Sequence, residues 1–390
     1  MKESILFVDD EELLLSSYEM LFEEEYDVYL AHSAEEALSQ MEKRSFALVI
    51  SDYDMPGIKG IEFLNIVRKK YPDTIRILLT GFSDINIIVD AVNESNIFRF
   101  LIKNDDLRKV ISAVKDGIAI YRLIKSERKL KQELEQAYND INNDLNAAAK
   151  LQQNIQPPSS SFAGYSFAAM YLPSKYLSGD NYNFFQIDDF IIYYVLDVTG
   201  KGIPASMMSF AISRLINSDK IPNNPTLNFK ENKYEVKSPS EVLHTLNQTF
   251  LTKDDDIQFF TICYGIIDLK KSISKIGTGG HRKPILIRGD KVEFIELKGM
   301  PIGFMDDPKI GEIEIELNSD DKLILYSDGL PELVNSKGEM FGEERIIDIL
   351  KLNHTANSNE LIDIIEFHIT NWTEGHKPDD DITVLTIQKI

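Results

Sequence analysis

Between residues 123 and 156 the chain contains neither glycine nor proline, and this stretch separates two regions of different character. It is rich in Lys, Glu, Gln, Asn and Ala. Leu130, Leu134, Tyr138, Ile141, Leu145, Ala148 and Gln152 recur mainly at four- and three-residue steps, as in the seam of a coiled coil. A single amphipathic helix lying on a neighbouring domain satisfies the same spacing. Pro157-Pro158, followed by Ser159–Ser161, ends the helix. The chain therefore reads as residues 1–122, a helical coiled-coil linker over 123–156, and residues 157–390. At roughly 150 residues per domain, 390 residues suit two or three domains, each able to bury its own core.

Residues 1–122 alternate short apolar runs with amphipathic stretches. Ile5–Val8, Phe46–Ile50, Ile75–Leu79 and Ile97–Ile102 read as buried strands, with a weaker one at Asp27–Leu30. Glu11–Glu24, Ala34–Lys43, Ile58–Lys70 and Asp84–Glu94 carry helical spacing. Such alternation with short connections predicts a doubly wound (βα)5 parallel sheet. Asp9, Asp10, Asp52, Thr80 and Lys103 then all fall at carboxyl ends of strands, on one rim. Three carboxylates there repel unless a divalent cation neutralises them, and hard oxygen ligands suit Mg²⁺. The metal can hold a phosphoryl group against Asp52, with Thr80 and Lys103 contacting its oxygens.

Beyond Phe162 the pattern is rich in strands: Ser166–Tyr171, Phe190–Asp197, Phe259–Asp268, Ile285–Arg288, Lys291–Leu297, Lys322–Tyr326 and Ile382–Gln388. Helical spacing marks Pro204–Asn217, Pro239–Leu251, Glu343–Lys351 and Ser358–Trp372. Ser218–Lys237 has no period and reads as an exposed excursion. Antiparallel sheets packed between helices suit this half. Asp180, Asp197, Asp328 and the cluster Asp379–Asp381 are its prominent acidic positions, and the last three sites sit beside apolar strands and within turns. Such edges can converge carboxylates into one cleft, where two divalent ions would offset their repulsion and activate water. Gly179, Gly200, Gly202 and Gly329 would let backbone approach metals and a phosphate. Solvated turns closing hairpins are the plainer reading of the same residues. No GxxxxGK[ST] or GxGxxG is present, since Gly200-Lys201 is followed by Gly202.

Composition excludes several classes. With 63 acidic side chains against 42 Lys and Arg, the net charge of -21 argues against nucleic acid as a partner. The longest apolar run, Phe190–Leu196, is far short of the roughly 20 residues of a membrane span. The N-terminus turns acidic after a short apolar stretch, unlike a signal peptide. Cys263, the single cysteine, excludes intramolecular disulfides and suits core packing in a reducing compartment. A cytoplasmic protein is expected.

The stretches FVDDEELL, LVISDYDMPGIKG, ILLTGFSD and FRFLIK make the first ~120 residues resemble a response-regulator receiver domain. The resemblance implies phosphorylation of Asp52 by a sensor histidine kinase. It also implies Mg²⁺ held by Asp10, Asp52 and the backbone carbonyl of Asp54, with Asp9 acting through water, and places Phe100 at an aromatic switch position. One departure stands out: Asn104 follows the lysine where the family has proline.

The segments AAKLQQNIQP, LPSKYLSGDNYNFF, LDVTGKGIPASMM, SPSEVLHTLNQTF, GTGGHRKPILI, GMPIGFM, DKLILYSDGLPELVNSKGEMFGEERI and PDDDITVLTI occur in the order of the SpoIIE-like branch of metal-dependent Ser/Thr protein phosphatases. Residues from about Ala147 to Ile390 resemble that family. The resemblance implies an α-β-β-α sandwich with two Mn²⁺ or Mg²⁺ ions at one end. Asp180, Asp197, Asp328 and Asp380 match its metal-binding aspartates, the DDIT register selecting Asp380, and the Val198 carbonyl matches its backbone ligand. Asn183 stands where the family has a second aspartate. His281, in a Gly-rich turn, reads better as a hydrogen-bonded structural residue than as a general acid.

Together these features describe an α/β multidomain response regulator that removes phosphate from phosphoserine or phosphothreonine on a protein. The resemblance points to an anti-sigma-factor antagonist as that protein. Linker pairing predicts a homodimer. A phosphorylation-controlled adaptor, whose phosphatase-like domain binds a partner without catalysis, is the alternative that Asn104 and Asn183 motivate.

Overall fold

The computed structural model describes residues 2–81, 97–103, 106–221, 224–230, 233–251 and 258–390. The chain forms two compact units, Met1–Asp140 and Ile141–Ile390. The expected helix at Asp84–Glu94 and the Asn104 position lie outside the described residues.

The first unit carries β1 (Ser4–Val8), α1 (Glu12–Phe22), β2 (Asp27–Ala31), α2 (Ala34–Lys43), β3 (Leu48–Asp52), α3 (Gly60–Lys70), β4 (Ile75–Thr80), β5 (Arg99–Ile102) and α4 (Leu107–Ile155). All strand pairs are parallel, in the order β2-β1-β3-β4-β5. Strand residues are buried on both faces, as a covered parallel sheet requires. Phe7, Ile50 and Leu79 pack with Leu15, Tyr18 and Phe22 of α1 and with Val110, Ala113 and Val114 of α4. On the opposite face Leu6, Val49 and Leu78 meet Ala37 and Met41 of α2 and Phe63 and Leu64 of α3. The chain order reverses between β1 and β3, which is where an open sheet gathers ligand-binding groups.

The last receiver-type helix and the linker form one uninterrupted helix of 49 residues rather than two elements. Its buried residues Val110, Ala113, Val114 and Ile118 give way to an exposed stripe at Leu123, Leu130, Leu134, Tyr138 and Ile141. Gln152 departs from the expected seam, because it is buried against the Ser178 backbone of the second unit.

In the second unit one antiparallel sheet has the order β16-β13-β12-β9-β8. These strands are Gly311–Glu316, Ile273–Gly279, Phe260–Asp268, Phe190–Val198 and Asn181–Ile187. The other sheet has the order β15-β14-β17-β18-β7-β6, comprising Lys291–Phe294, Ile285–Arg288, Lys322–Tyr326, Ile382–Lys389, Tyr165–Leu172 and Ser160–Phe162. Phe184, Tyr193, Val195 and Cys263 from the first sheet interdigitate with Phe167, Leu286, Leu325 and Leu385 from the second. Phe167 and Phe184 stack with ring centroids 4.5 Å apart. Helices α5 (Ile203–Leu215) and α6 (Pro239–Phe250) cover the outer face of the five-stranded sheet through Ile212, Val242, Leu243 and Leu246. Helices α7 (Glu343–Leu352) and α8 (Ser358–Trp372) cover the six-stranded sheet through Ile346, Leu350, Leu361 and Ile365. The architecture is α-β-β-α.

Besides a hairpin within Ser218–Lys237, four strands were not expected from periodicity: β6, β8, β13 and β16. In β13 the run IGTG is buried but carries little apolar side chain, while GEIEIE of β16 alternates only between partial and full exposure at a sheet edge. The expected excursion Ser218–Lys237 contains a hairpin, β10 (Leu227–Lys230) with β11 (Lys233–Val236). Its entry is buried rather than exposed: Asn224 donates to the Asn217 and Asp219 carbonyls, and Leu227 joins the core under α6.

Gly265 of β12 lies opposite Tyr193, and a Cβ at that position would stand 2.1 Å from the Tyr193 ring. The ring is held there by its hydroxyl, 2.7 Å from Ser274 Oγ. Gly265→Ala is expected to cost about 1–3 kcal/mol through overpacking, read as a lower urea midpoint with an unchanged slope.

Candidate active and phosphoacceptor sites

On the rim of the parallel sheet, Asp9 and Asp52 are buried, while Asp10 is exposed. Carboxylate oxygens of the three lie within 4.8 Å of one another, the spacing of a shared cation. Lys103 Nζ reaches Asp9 Oδ2 at 2.9 Å, Asp52 Oδ1 at 3.1 Å and Glu11 Oε1 at 3.2 Å. The remaining oxygens are oriented by backbone, with Glu11 N–H donating to Asp9 Oδ1 at 3.0 Å and Asp54 N–H to Asp52 Oδ2 at 3.2 Å. Burial pushes the Asp52 carboxyl above its ordinary value, against the pull of Lys103 and together with the Asp9 charge. Burial disfavours the Lys103 ammonium, yet its bonds to Asp9 and Asp52 outweigh that and hold it above the usual lysine range. Thr80 is buried at the end of β4, donating to the Gly81 carbonyl at 3.2 Å. The Asp54 side chain points away to Lys59, 2.5 Å distant, whose hydrogen bond lowers its pKa. The five expected positions therefore share one rim, with Lys103 in contact with the buried acids. Phe100, on β5, is 45% exposed.

In the sandwich, Asp180 precedes β8, Asp197 is near the end of β9, Asp328 follows β17 and Asp380 precedes β18. Antiparallel pairing of β8 with β9, and of β17 with β18, brings each pair of positions to the same end of its sheet. Asp381 joins the two ends. Its Oδ1 accepts from Ser174 N–H at 2.7 Å and Ser174 Oγ at 2.8 Å, and its Oδ2 accepts from Gly179 N–H at 2.8 Å. The Ser178–Asp180 turn is thereby tied to the start of β18. Ser327 reinforces the junction, accepting from Thr383 N–H at 2.9 Å. Gly329 is required there, since a Cβ would lie 2.0 Å from the Asp381 carbonyl oxygen.

The carboxylates perturb one another. Asp180 is pushed well above the ordinary range by burial and then by the Asp197 charge. Asp197 is pushed up to about 7, first by burial and then by Asp328 and Asp380. Asp328 is raised by burial, Glu332 and Asp380. Oδ2 of Asp180 is buried with no hydrogen-bond partner among the described residues. An acceptor left in this way, among like charges, is the environment that divalent cations relieve, so the donor set fits hard metal ions. Asp380 lies at the mouth, 3.0 Å from Lys201 Nζ, which also donates to the Asp379 carbonyl.

Residues outside the expected set complete the site. The amide of Gln152 grips the Ser178 backbone twice, donating to its carbonyl at 2.8 Å and accepting from its N–H at 3.1 Å. The end of α4 is thus bonded to the turn that presents Asp180. The i, i+4 step from Ala148 hid this contact, since a seam glutamine and a buried one look alike in sequence. Asp381 was visible only as one of three consecutive acids. Asn183 accepts from the adjacent Phe184 N–H at 2.8 Å. His281 is buried, with Nδ1 2.7 Å from Thr261 Oγ1; burial and Arg282 lower its pKa to about 3, so it is neutral at pH 7.

Residues 188–389 match the family model for Stage II sporulation protein E (SpoIIE), and residues 5–115 match that for the response regulator receiver domain. The chain is 26% identical over 264 residues to phosphoserine phosphatase RsbU of Bacillus subtilis, covering 66% of this chain and 73% of RsbU. It is 24% identical over 287 residues to protein IcfG of Synechocystis sp., covering 69% of this chain and 45% of IcfG. A third relative, the hydrogenase transcriptional regulatory protein HoxA of Cupriavidus necator, is 30% identical over 131 residues, 34% of this chain and 27% of HoxA. The chain thus spans less than half the length of IcfG and about a quarter of HoxA. The SiaA-PP2C domain of Pseudomonas aeruginosa shares the fold, with a TM-score of 0.55 and 18% identity over 65% of this chain and 98% of that domain. Among the described residues no helix is long and apolar enough to cross a membrane.

The Asp197 carboxyl titrates near 4 when unfolded and near 7 when folded, so the folded state binds the proton more tightly. Stability contributed by that proton is present at pH 4 and lost as pH rises through 7. Chelator-treated protein is expected to lose stability between pH 5 and pH 8, by on the order of a few kcal/mol. In differential scanning calorimetry Asp328→Asn flattens this dependence, and Mn²⁺ removes it from the unmodified chain.

Proposed function

Because the chain belongs to the SpoIIE family and carries a receiver domain, we propose that it is a response regulator whose output is metal-dependent dephosphorylation of a phosphoprotein. The electrostatic linkage of Asp197 to Asp180, Asp328 and Asp380, beside a buried Asp180 oxygen with no hydrogen-bond partner among the described residues, carries this reading. These four side chains and the Val198 carbonyl would hold two Mn²⁺ or Mg²⁺ ions. Bound ions would screen the phosphoryl oxygens and make water acidic enough to attack phosphorus at neutral pH. The chain's own contribution is placement. Asp381 is satisfied by Ser174 and Gly179, while Asp380 at the mouth is held by the Asp381 N–H and by Lys201, a pairing that a bound ion would displace, and Gln152 and Gly329 fix the turns on either side. Phosphoserine or phosphothreonine is the substrate class, in keeping with the name of RsbU. An anti-sigma-factor antagonist is the protein we favour.

Asp52 is the phosphoacceptor, supplied by a sensor histidine kinase. Asp10, Asp52 and the Asp54 carbonyl would hold Mg²⁺, with Asp9 oriented beside them and Lys103 and Thr80 meeting the phosphoryl oxygens. Control of output would pass along α4, whose exposed stripe at Leu130, Leu134, Tyr138 and Ile141 pairs two copies into a homodimer. A shift of the helix end reaches the Asp180 turn through the Gln152 amide.

Mn²⁺-dependent hydrolysis of an aryl phosphate by the full chain is expected, falling about 10²-fold or more in Asp328→Ala. If wild type and variant hydrolyse alike, the metal assignment is wrong. BeF₃⁻ is expected to change either turnover or the light-scattering mass of the full chain, and Asp52→Asn to abolish the response. Gln152→Ala is expected to reduce that response while Mn²⁺ still binds by calorimetry.

A further inference from the structure

A cavity of about 610 Å³ opens beside Asp328, bounded by Thr261, His281, Arg282, Lys283, Lys298 and Glu343. It is far larger than one phosphate needs and falls within the roughly 300–1,000 Å³ of ligand sites. Three cations line it beside the acids Asp328 and Glu343, in a chain with a net charge of -21. Their present partners are exchangeable. Arg282 pairs with Glu332, and with Glu343 at 3.7 Å, while Lys283 pairs with Glu296 at 2.7 Å, and each acid is substantially exposed. Exposed pairs of this kind contribute little and yield readily to a competing anion. Lys298 is exposed and forms no ion pair among the described residues. The wall behind these side chains is close-packed backbone: a Cβ on Gly299 would stand 2.1 Å from the Thr278 carbonyl oxygen.

Resting on the phosphatase reading, we propose that this cavity binds the chain segment flanking the phosphorylated residue of the substrate, and that it selects acidic flanks. Arg282, Lys283 and Lys298 are then the specificity-determining residues. Arg282, nearest the acidic partners of the cleft, offers a planar fork that a carboxylate can accept in two bonds. Lys283 and Lys298 add point charges along the same wall. The excess negative charge of the whole molecule repels an acidic phosphoprotein, so its flanking carboxylates bind by replacing Glu332, Glu343 and Glu296 on Arg282 and Lys283 and by meeting Lys298.

The test uses two labelled phosphoserine peptides, one flanked by glutamates and one by lysines, titrated with the full chain in Mg²⁺. Anisotropy reads binding, and phosphate release is followed on the same samples. The unmodified chain is expected to bind the glutamate peptide at least tenfold more tightly. The Lys283→Glu/Lys298→Glu variant is expected to invert the preference, and Lys298→Glu alone to narrow it. Inversion cannot come from unfolding, which would abolish both affinities. Equal affinity for the two peptides, no binding of either, or a preference that survives the double variant overturns the proposal. Selective binding without phosphate release sinks the phosphatase reading and leaves the subsite standing. Release with no charge preference does the opposite.

Discussion

Several carboxylates buried at one end of a β-sandwich repel one another, and the C-terminal unit is arranged around holding them there. The cost is visible in Asp180 and Asp197, whose protons are retained far above the usual range. Asp381 ties the two sheet ends together, a carboxylate satisfied by donors although it lies near enough to Asp180 and Asp197 to raise both. Three hydrogen bonds from Ser174 and Gly179 join residues more than 200 positions apart in sequence. Close backbone approach at Gly329 closes the same junction. Adjacent acids in one short run thus serve opposite ends: Asp381 joins the sheets, and Asp380 remains at the mouth.

The parallel sheet of the first unit meets the same electrostatic difficulty with a different device. Asp9 and Asp52 are buried side by side, and Lys103 inserts its ammonium between them from the next but one strand position on the rim. A covalently attached cation partly satisfies the pair without metal, and the exposed Asp10 completes a ligand set. In the sandwich Lys201 pairs with the outer acid Asp380, and among the described residues the Asp180 Oδ2 has no hydrogen-bond partner. The two sites therefore differ in how far the chain's own cations offset the buried carboxylates.

α4 runs without a break from the parallel-sheet unit into the linker. Its surface changes from a face buried in the first unit, through an exposed apolar stripe, to a glutamine buried in the second. One helix thereby holds a face packed on the parallel sheet, an exposed apolar stripe and a contact to the Asp180 turn. No glycine or proline interrupts it from residue 123 to 156, which keeps that stretch helical.

Alternation of buried runs with helical spacing is a local property, and it was legible: the parallel sheet, the long helix and most sandwich strands follow from it. Motif residues at strand ends were legible for the same reason, because a strand's direction decides which rim its last residue reaches. The edge strand GEIEIE and the small-residue strand ISKIGTG escaped, since a weak apolar contrast leaves period two without a signal. The buried entry to the β10–β11 hairpin escaped because its polar groups are satisfied by Asn224, a long-range arrangement with no local period. By itself, then, the sequence determined the two fold classes, their order and the acids that could act together. Only the tertiary structure decided which acid braces and which faces the cleft, that Gln152 leaves the seam for Ser178, and that three cations gather beside Asp328. Those outcomes depend on which donors and acceptors meet when distant segments close on one another, and spacing along the chain does not encode that.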